Sequence, residues 1–205
     1  MTKPTADELN VSRETFERLE SFVDLLEKWT AKINLVSRAS VPAIWSRHIH
    51  DSVQVYRQGP ETFDHWLDLG SGGGLPGLVV AILAAESPAQ KMVTLVESDG
   101  RKAAFLRTAL RETAVPGRVL CDRIEALPPQ GADVVSARAL ADLNTLLGFA
   151  FRHLRAGGIA LFSKGVTWEK EVETARLEWR FSLEVLKSET EEGSVILRIG
   201  DIARV

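Results

Sequence analysis

The chain has 205 residues, enough for one α/β domain with a short extension, and its 45% apolar and 26% charged residues make an ordinary globular balance. A formal net charge of −3 excludes the global basic character that announces nucleic-acid binding and leaves only a local patch open. One cysteine, Cys121, excludes an intrachain disulfide and a cysteine-based metal cluster, and no charged-then-apolar leader or membrane-length apolar run stands in the way of a cytoplasmic location.

Residues 1 to about 10 are polar and expected to fray. Ser12 can cap a helix running to about Lys32, in which Phe16, Leu19, Phe22, Leu26, Trp29 and Ile33 form one apolar stripe for the core. Asn34 to Ser40 is a loop, and Val41 to Ile44 begins a second helix. The run Arg47-His48-Ile49-His50-Asp51-Ser52 invites a metal reading, but two histidines two apart do not share a helix face. A helix end capped by Asp51 or Ser52 is favoured instead, with a contact from Arg47 and His48 to phosphate as the weaker alternative.

The chain is organised around Trp66 to Gly77. Trp66 to Leu69 is a short apolar strand, Gly70 to Gly74 a loop with four glycines, and Pro76 leads into a helix from Gly77 to Ala85. Strand, glycine loop and helix open a nucleotide-binding unit, because the backbone can approach a ligand and the helix start adds free N–H groups. Gly72, Gly74 and Gly77 match the dinucleotide spacing G-x-G-x-x-G. Gly70, Gly72 and Gly74, preceded by Asp68, match the G-x-G-x-G of S-adenosylmethionine enzymes, and this second register fits the end of the strand better. A side chain at Gly72 or Gly74 is expected to obstruct the ligand.

Met92 to Val96 is the second strand, and Glu97 at its end suits the paired hydroxyls of a ribose. Arg101 to Arg111 is a helix with Ala104, Phe105, Leu106 and Leu110 inward and Arg101, Lys102, Arg107 and Arg111 outward. Val119 to Cys121 is the third strand, followed by Ile124-Glu125 in a loop that reaches the crevice of a doubly wound sheet. Ala132 to Ser136 is the fourth strand; Arg138 beyond it meets either an anionic ligand or a buried carboxylate. A helix spans Leu140 to Leu154 and ends at Gly157-Gly158; Ile159 to Ser163 is the fifth strand, before Lys164-Gly165; Trp168 to Trp179 is a helix. Phe181 to Lys187 and Ser194 to Ile199 alternate apolar and polar residues and form an antiparallel hairpin. A parallel sheet ending in such a hairpin is the Rossmann-like, seven-stranded fold of S-adenosylmethionine-dependent methyltransferases. The domain is expected over 61–205, with 1–60 as a helical extension packed on it.

Asn34-Leu35, Arg47-His48-Ile49-His50-Asp51-Ser52, Asp68 to Gly77, Glu97-Ser98 with Arg101 to Leu106, Ser136-Ala137-Arg138-Ala139 and Lys164-Gly165 resemble the corresponding stretches of the RsmG family, also called glucose-inhibited division protein B. The resemblance covers nearly the whole chain; one departure is Gly73, where relatives often carry proline. It implies S-adenosylmethionine as cofactor and a guanine N7 in the 530 loop of 16S rRNA as acceptor, with the small ribosomal subunit as partner. It also implies cofactor contacts from Gly70, Leu75, Ile124, Glu125 and Arg138, beside Gly72, Gly74 and Glu97.

Guanine N7 carries a lone pair and no proton, so no general base is required; Arg138 is the one candidate for a catalytic contact. The Asn/Asp-Pro-Pro-aromatic motif of exocyclic-amine methyltransferases is missing after the fourth strand, and Cys121 reads as a core residue of the third strand rather than a nucleophile. Arg47, His48, Arg101, Lys102, Arg107 and Lys164 are the candidates for RNA phosphates. No metal and no membrane contact are expected, and a monomer is. A small-molecule methyltransferase would show weak, salt-insensitive activity on RNA. A non-catalytic RNA-binding protein would not bind the cofactor, and a nicotinamide dehydrogenase would need a substrate domain for which the chain is too short.

Overall fold

A computed structural model describes residues 3–87 and 91–205. Helix α1 spans Arg13–Thr30, and Ser12 caps it, its hydroxyl accepting from the Thr15 N–H at 3.1 Å. Leu19, Phe22, Val23 and Leu26 form its buried face. The chain before it is not frayed: Leu9 is 1% exposed and its carbonyl accepts from Arg57. Met1 and Thr2 lie outside the described residues.

After a 3-10 turn at Arg38–Ala43, a π turn at Trp45–Ile49 runs without a break into α2, His50–Arg57. The expected helix end at Asp51 or Ser52 is therefore incorrect. The Ser52 hydroxyl donates to the His48 carbonyl four residues back, at 2.7 Å, the bond that lets serine sit inside a helix. Asp51 is buried in the same turn.

The remaining elements are β1 (His65–Leu69), α3 (Gly77–Ala84), β2 (Met92–Val96), α4 (Gly100–Glu112), β3 (Arg118–Leu120), β4 (Ala132–Arg138), α5 (Leu143–His153), β5 (Leu154–Lys164), α6 (Trp168–Ala175), β6 (Trp179–Lys187) and β7 (Val195–Arg204). They form a seven-stranded sheet in the order β3-β2-β1-β4-β5-β7-β6. The first five strands are parallel, and β7 is antiparallel to both β5 and β6. The strand order reverses between β1 and β4, so the crevice above their carboxyl ends is the ligand position of a doubly wound sheet.

One apolar cluster joins α1 to α4 to the sheet; a second holds α5 and α6. Every residue of α3 is buried, because α1 and α2 pack over the side that would otherwise meet water. Several boundaries differ from the expected ones. Ala104 is exposed, and Ala103 and Ala109 take the inward positions beside Phe105, Leu106 and Leu110. At 100° per residue, position 104 falls on the far side of that arc. The short edge strand β3 ends at Leu120, which leaves Cys121 exposed rather than in the core.

Asp142 caps α5 through the Thr145 N–H, so the helix starts after Leu140, and the chain enters β5 at Leu154. Gly157, at φ +75°, lies in a register shift of β5 rather than closing a helix. Helix α6 ends at Ala175. Trp179 opens β6, 2% exposed, its indole N–H donating to Asn144 Oδ1 at 2.6 Å.

Candidate active site

The loop after β1 is held by its own backbone and by one carboxylate. The Ser71 N–H donates to the Val96 carbonyl at 2.9 Å, and the Ser71 hydroxyl donates to the Asp68 carbonyl at 3.1 Å. Gly72 N–H donates to Glu97 Oε2 at 2.9 Å, while Glu97 Oε1 accepts from the Asp99 N–H at 2.8 Å. A carboxylate has about four lone-pair positions, so Glu97 keeps acceptor capacity beyond these two bonds. The loop glycines differ. A Cβ on Gly72 would meet nothing nearer than the Gly70 carbonyl at 3.7 Å and would project into the space before the loop. A Cβ on Gly74 would lie 2.9 Å from Leu78 Cβ and 3.3 Å from both Leu106 and Phe22, so this glycine serves packing. On Gly70 it would meet Leu140 at 2.6 Å. Leu75 is buried in the core, which leaves only its main chain for a ligand.

Behind the loop, Asp68 is buried with Oδ1 accepting from the Ser136 hydroxyl at 2.6 Å, and Trp66 Nε1 donates to that hydroxyl at 2.8 Å. Oδ2 has no hydrogen bond of good geometry. Burial pushes the Asp68 carboxyl up to about 6, against the Ser136 hydrogen bond and the Arg138 charge.

Ala137 is in register with Leu69, so Arg138 stands level with Gly70 at the switch point. Its guanidinium lies 3.0 Å from His48 Nδ1 and 3.5 Å from Asp51 Oδ2. A guanidinium can only donate, which makes Nδ1 the acceptor and puts the imidazole proton on Nε2, 2.9 Å from Ser40 Oγ. Burial, then the charges of Arg138 and Arg47, lower the His48 pKa to about 4. His48 is thus a neutral hydrogen-bonding wall, not a cation for phosphate. These residues line a cleft of about 460 Å³ together with Ser163, Lys164 and Glu191.

The other sequence candidates are scattered. Ile124 is buried in a 3-10 turn and Glu125 is exposed beside it. The carbonyls of Ile124 and Leu127 lie against His153 and Arg152 of α5. Arg101 is exposed on α4 and pairs with the helix cap Asp99 at 3.5 Å, with Lys102 half-buried beside it. Lys164 is committed: its side chain is 8% exposed and its ammonium donates at 2.7 Å to both the Ala141 carbonyl and Glu171 Oε2, so it is not free for RNA. Arg47 is exposed and pairs with Glu191 at 2.6 Å. Sequence reasoning missed Asp51, Ser40, Ser136 and Glu191 as partners in this region; only the three-residue spacing of His48 and Asp51 on a continuing helix could have signalled the first. Among the described residues no group of three or more His, Cys, Asp or Glu could hold a metal ion, and no helix is long and apolar enough to cross a membrane.

A family model described as GidB, rRNA small subunit methyltransferase G, matches residues 15–194. The "Ribosomal RNA small subunit methyltransferase G" of Ruegeria pomeroyi is 54% identical over 205 residues, covering all of both chains. The protein of that name from Ruegeria sp. strain TM1040 is 57% identical over 198 residues, 97% of this chain and 96% of its own. In three dimensions the chain is similar to an O-methyltransferase from Bacillus cereus, solved in complex with SAH, with a TM-score of 0.60 at 17% identity, covering 88% of this chain and 91% of that one. That likeness carries the Rossmann-like methyltransferase fold. The full-length identities and the family match carry more: this chain belongs to the rRNA small subunit methyltransferase G family.

Proposed function

We propose that the chain transfers a methyl group from S-adenosylmethionine to N7 of a guanine in the 530 loop of 16S rRNA, acting in the cytoplasm as a monomer on the small ribosomal subunit and without a metal. The observation that carries this reading is the pairing of Gly72 with Glu97 at the switch point. The glycine is open on its outer side, the carboxylate has spare acceptor positions, and Arg138 stands level with Gly70 on the neighbouring strand. Gly70, Gly72 and Glu97 would hold the cofactor, with the main chain of Leu75 and the Ile124-Glu125 turn completing the cradle.

When bound, S-adenosylmethionine supplies an electrophilic methyl group on a sulfonium. Guanine N7 has a lone pair and no proton to lose, so the chain has no base to provide. What its residues contribute is orientation and exclusion of water. Arg138 offers donors to the base or its phosphate, His48 stays neutral beside it, and Asp51 holds the guanidinium in place. Exposed Cys121, just beyond the edge strand β3, is given no part in the transfer.

The test is incubation with labelled S-adenosylmethionine and small subunits from cells lacking the enzyme. N7 methylation makes the nucleotide cleavable by borohydride and then aniline. Scission at a single guanine of the 530 loop is the expected result; a methyl on an exocyclic amine, a ribose or a pyrimidine carbon would overturn the reading.

A further inference from the structure

The rim of the cleft carries ion pairs that the methyl transfer does not use. The loop between β6 and β7 reads Ser188-Glu189-Thr190-Glu191-Glu192-Gly193-Ser194, and it folds back onto the helical segment that carries Arg47 and His48. Glu191 Oε1 accepts from Arg47 Nη2 at 2.6 Å, and Glu189 Oε2 lies 3.1 Å from His50 Nε2. Thr190, Glu191 and Ser194 line the same cleft as Arg138.

The stem and the tip of this loop are held in different ways. At the stem, Gln54 is buried; its Nε2 donates to the Lys187 carbonyl at 2.7 Å and its Oε1 accepts from the Glu189 N–H at 3.1 Å. A buried amide with both ends satisfied is expensive to break. At the tip, the side chains of Arg47 and Glu191 are 47% and 55% exposed, and those of His50 and Glu189 35% and 57%. Exposed pairs of this kind contribute little stability and are screened by salt. The loop therefore has a fixed base and an exchangeable end, and its carboxylates sit where Arg47 would otherwise face the approach to the cleft.

We propose that Glu191 and Glu189 are internal stand-ins for RNA phosphates: they occupy Arg47 and His50 in the free protein, and a docking RNA strand exchanges the carboxylates for its own phosphates. The loop–helix edge is then the RNA-docking surface beside the cleft. This rests on the rRNA reading above and adds to it a surface and a competitor. A phosphate offers Arg the same forked acceptor geometry as a carboxylate, so the exchange replaces one charged hydrogen bond with another of its kind. Each phosphate that enters also releases counterions from the RNA, which favours the exchange at low salt.

The experiment measures equilibrium binding of small subunits across a salt series, to the wild type, Glu191→Gln, Glu192→Gln, Arg47→Ala and the double variant Arg47→Ala/Glu191→Gln. Glu192 is the control, since it carries the same charge in the same loop but makes no ion pair among the described residues. Glu191→Gln should tighten binding about fivefold, the scale of one exposed pair. Glu192→Gln should change it about twofold or less, and Glu191→Gln should likewise gain no more than about twofold when added to Arg47→Ala. Equal gains from Glu191→Gln and Glu192→Gln would reduce the effect to general charge and overturn the proposal. So would a loss on Glu191→Gln, or its full gain surviving in the Arg47→Ala background. If the wild type binds small subunits and only these differences are missing, the docking inference alone fails. If the wild type does not bind them at all, the rRNA reading fails with it.

Discussion

Gly72 and Gly74 both have positive φ, +51° and +83°, but they are glycines for different reasons. A side chain at Gly72 adds backbone strain and fills the space in front of the loop; at Gly74 it also strikes Leu78, Leu106 and Phe22. Gly72→Val is therefore expected to melt only a few degrees below the wild type and to lose S-adenosylmethionine binding by at least about tenfold in calorimetry. Gly74→Val should lose the fold along with the binding, by about 3 kcal/mol or more in denaturant titration. A Gly74→Val protein as stable as Gly72→Val would contradict the packing. Arg138 presents the same division between site and scaffold. Its removal leaves the carboxylate of Asp51 buried without its cation, which costs about 3 kcal/mol. Arg138→Ala should be destabilised, and Arg138→Ala/Asp51→Asn should regain much of that stability while methylation stays lost. If activity returned together with stability, Arg138 would be a structural ion-pair partner and nothing more.

At the scale of elements, β1 and β4 are tied across the switch point by the relay from Trp66 through the Ser136 hydroxyl to Asp68, with Asp68 and Ser136 directly in register. Ser136→Ala strands both the indole N–H and the carboxylate in a fully buried site. The expected loss is about 2–3 kcal/mol, a fall in melting temperature of roughly 5–10 °C for a chain of this size; a shift under about 2 °C would mean that the relay is not a tie. Ser136 also shows where sequence reading stops. The first strand, the glycine loop and the closing hairpin are legible because glycine, proline and alternation punctuate the chain locally. The second helix was misjudged because Asp51 and Ser52 are residues that cap helices elsewhere, and their interior role depends on Arg138 and on a back-bond to His48. Arg138 and His48 are 90 positions apart, and no spacing rule joins residues at that distance. For the same reason Lys164 looked available for RNA until Glu171 and the Ala141 carbonyl were placed against it.

For the molecule as a whole, the two shifted groups beside the switch point work against each other as pH falls. His48 ionises near 4 in the folded chain and near 6.5 unfolded. Between those values the unfolded chain takes up a proton that the folded chain refuses, so stability drops on acidification. Asp68 has the opposite sign. Its folded value of about 6 lies above the unfolded 3.8, so the native carboxyl protonates first, and stability withheld at neutral pH is recovered as pH falls through 6. Asp51, also raised by burial, adds to the Asp68 side. The windows overlap and the shifts are similar in size, so the wild type should show only a shallow dependence on these groups between pH 6.5 and 4. Removing either one exposes the other. His48→Gln should gain stability relative to the wild type on going from pH 7 to 5, and Asp68→Asn should lose it, each by of order 1 kcal/mol once solvent screening at the half-buried histidine is counted. Denaturant titrations at the two pH values read this directly as midpoint shifts of opposite sign. Parallel pH profiles in all three proteins would mean that the fold holds neither group away from its ordinary ionisation, and that the neutral His48 wall and the protonatable Asp68 behind the glycine loop are both misassigned.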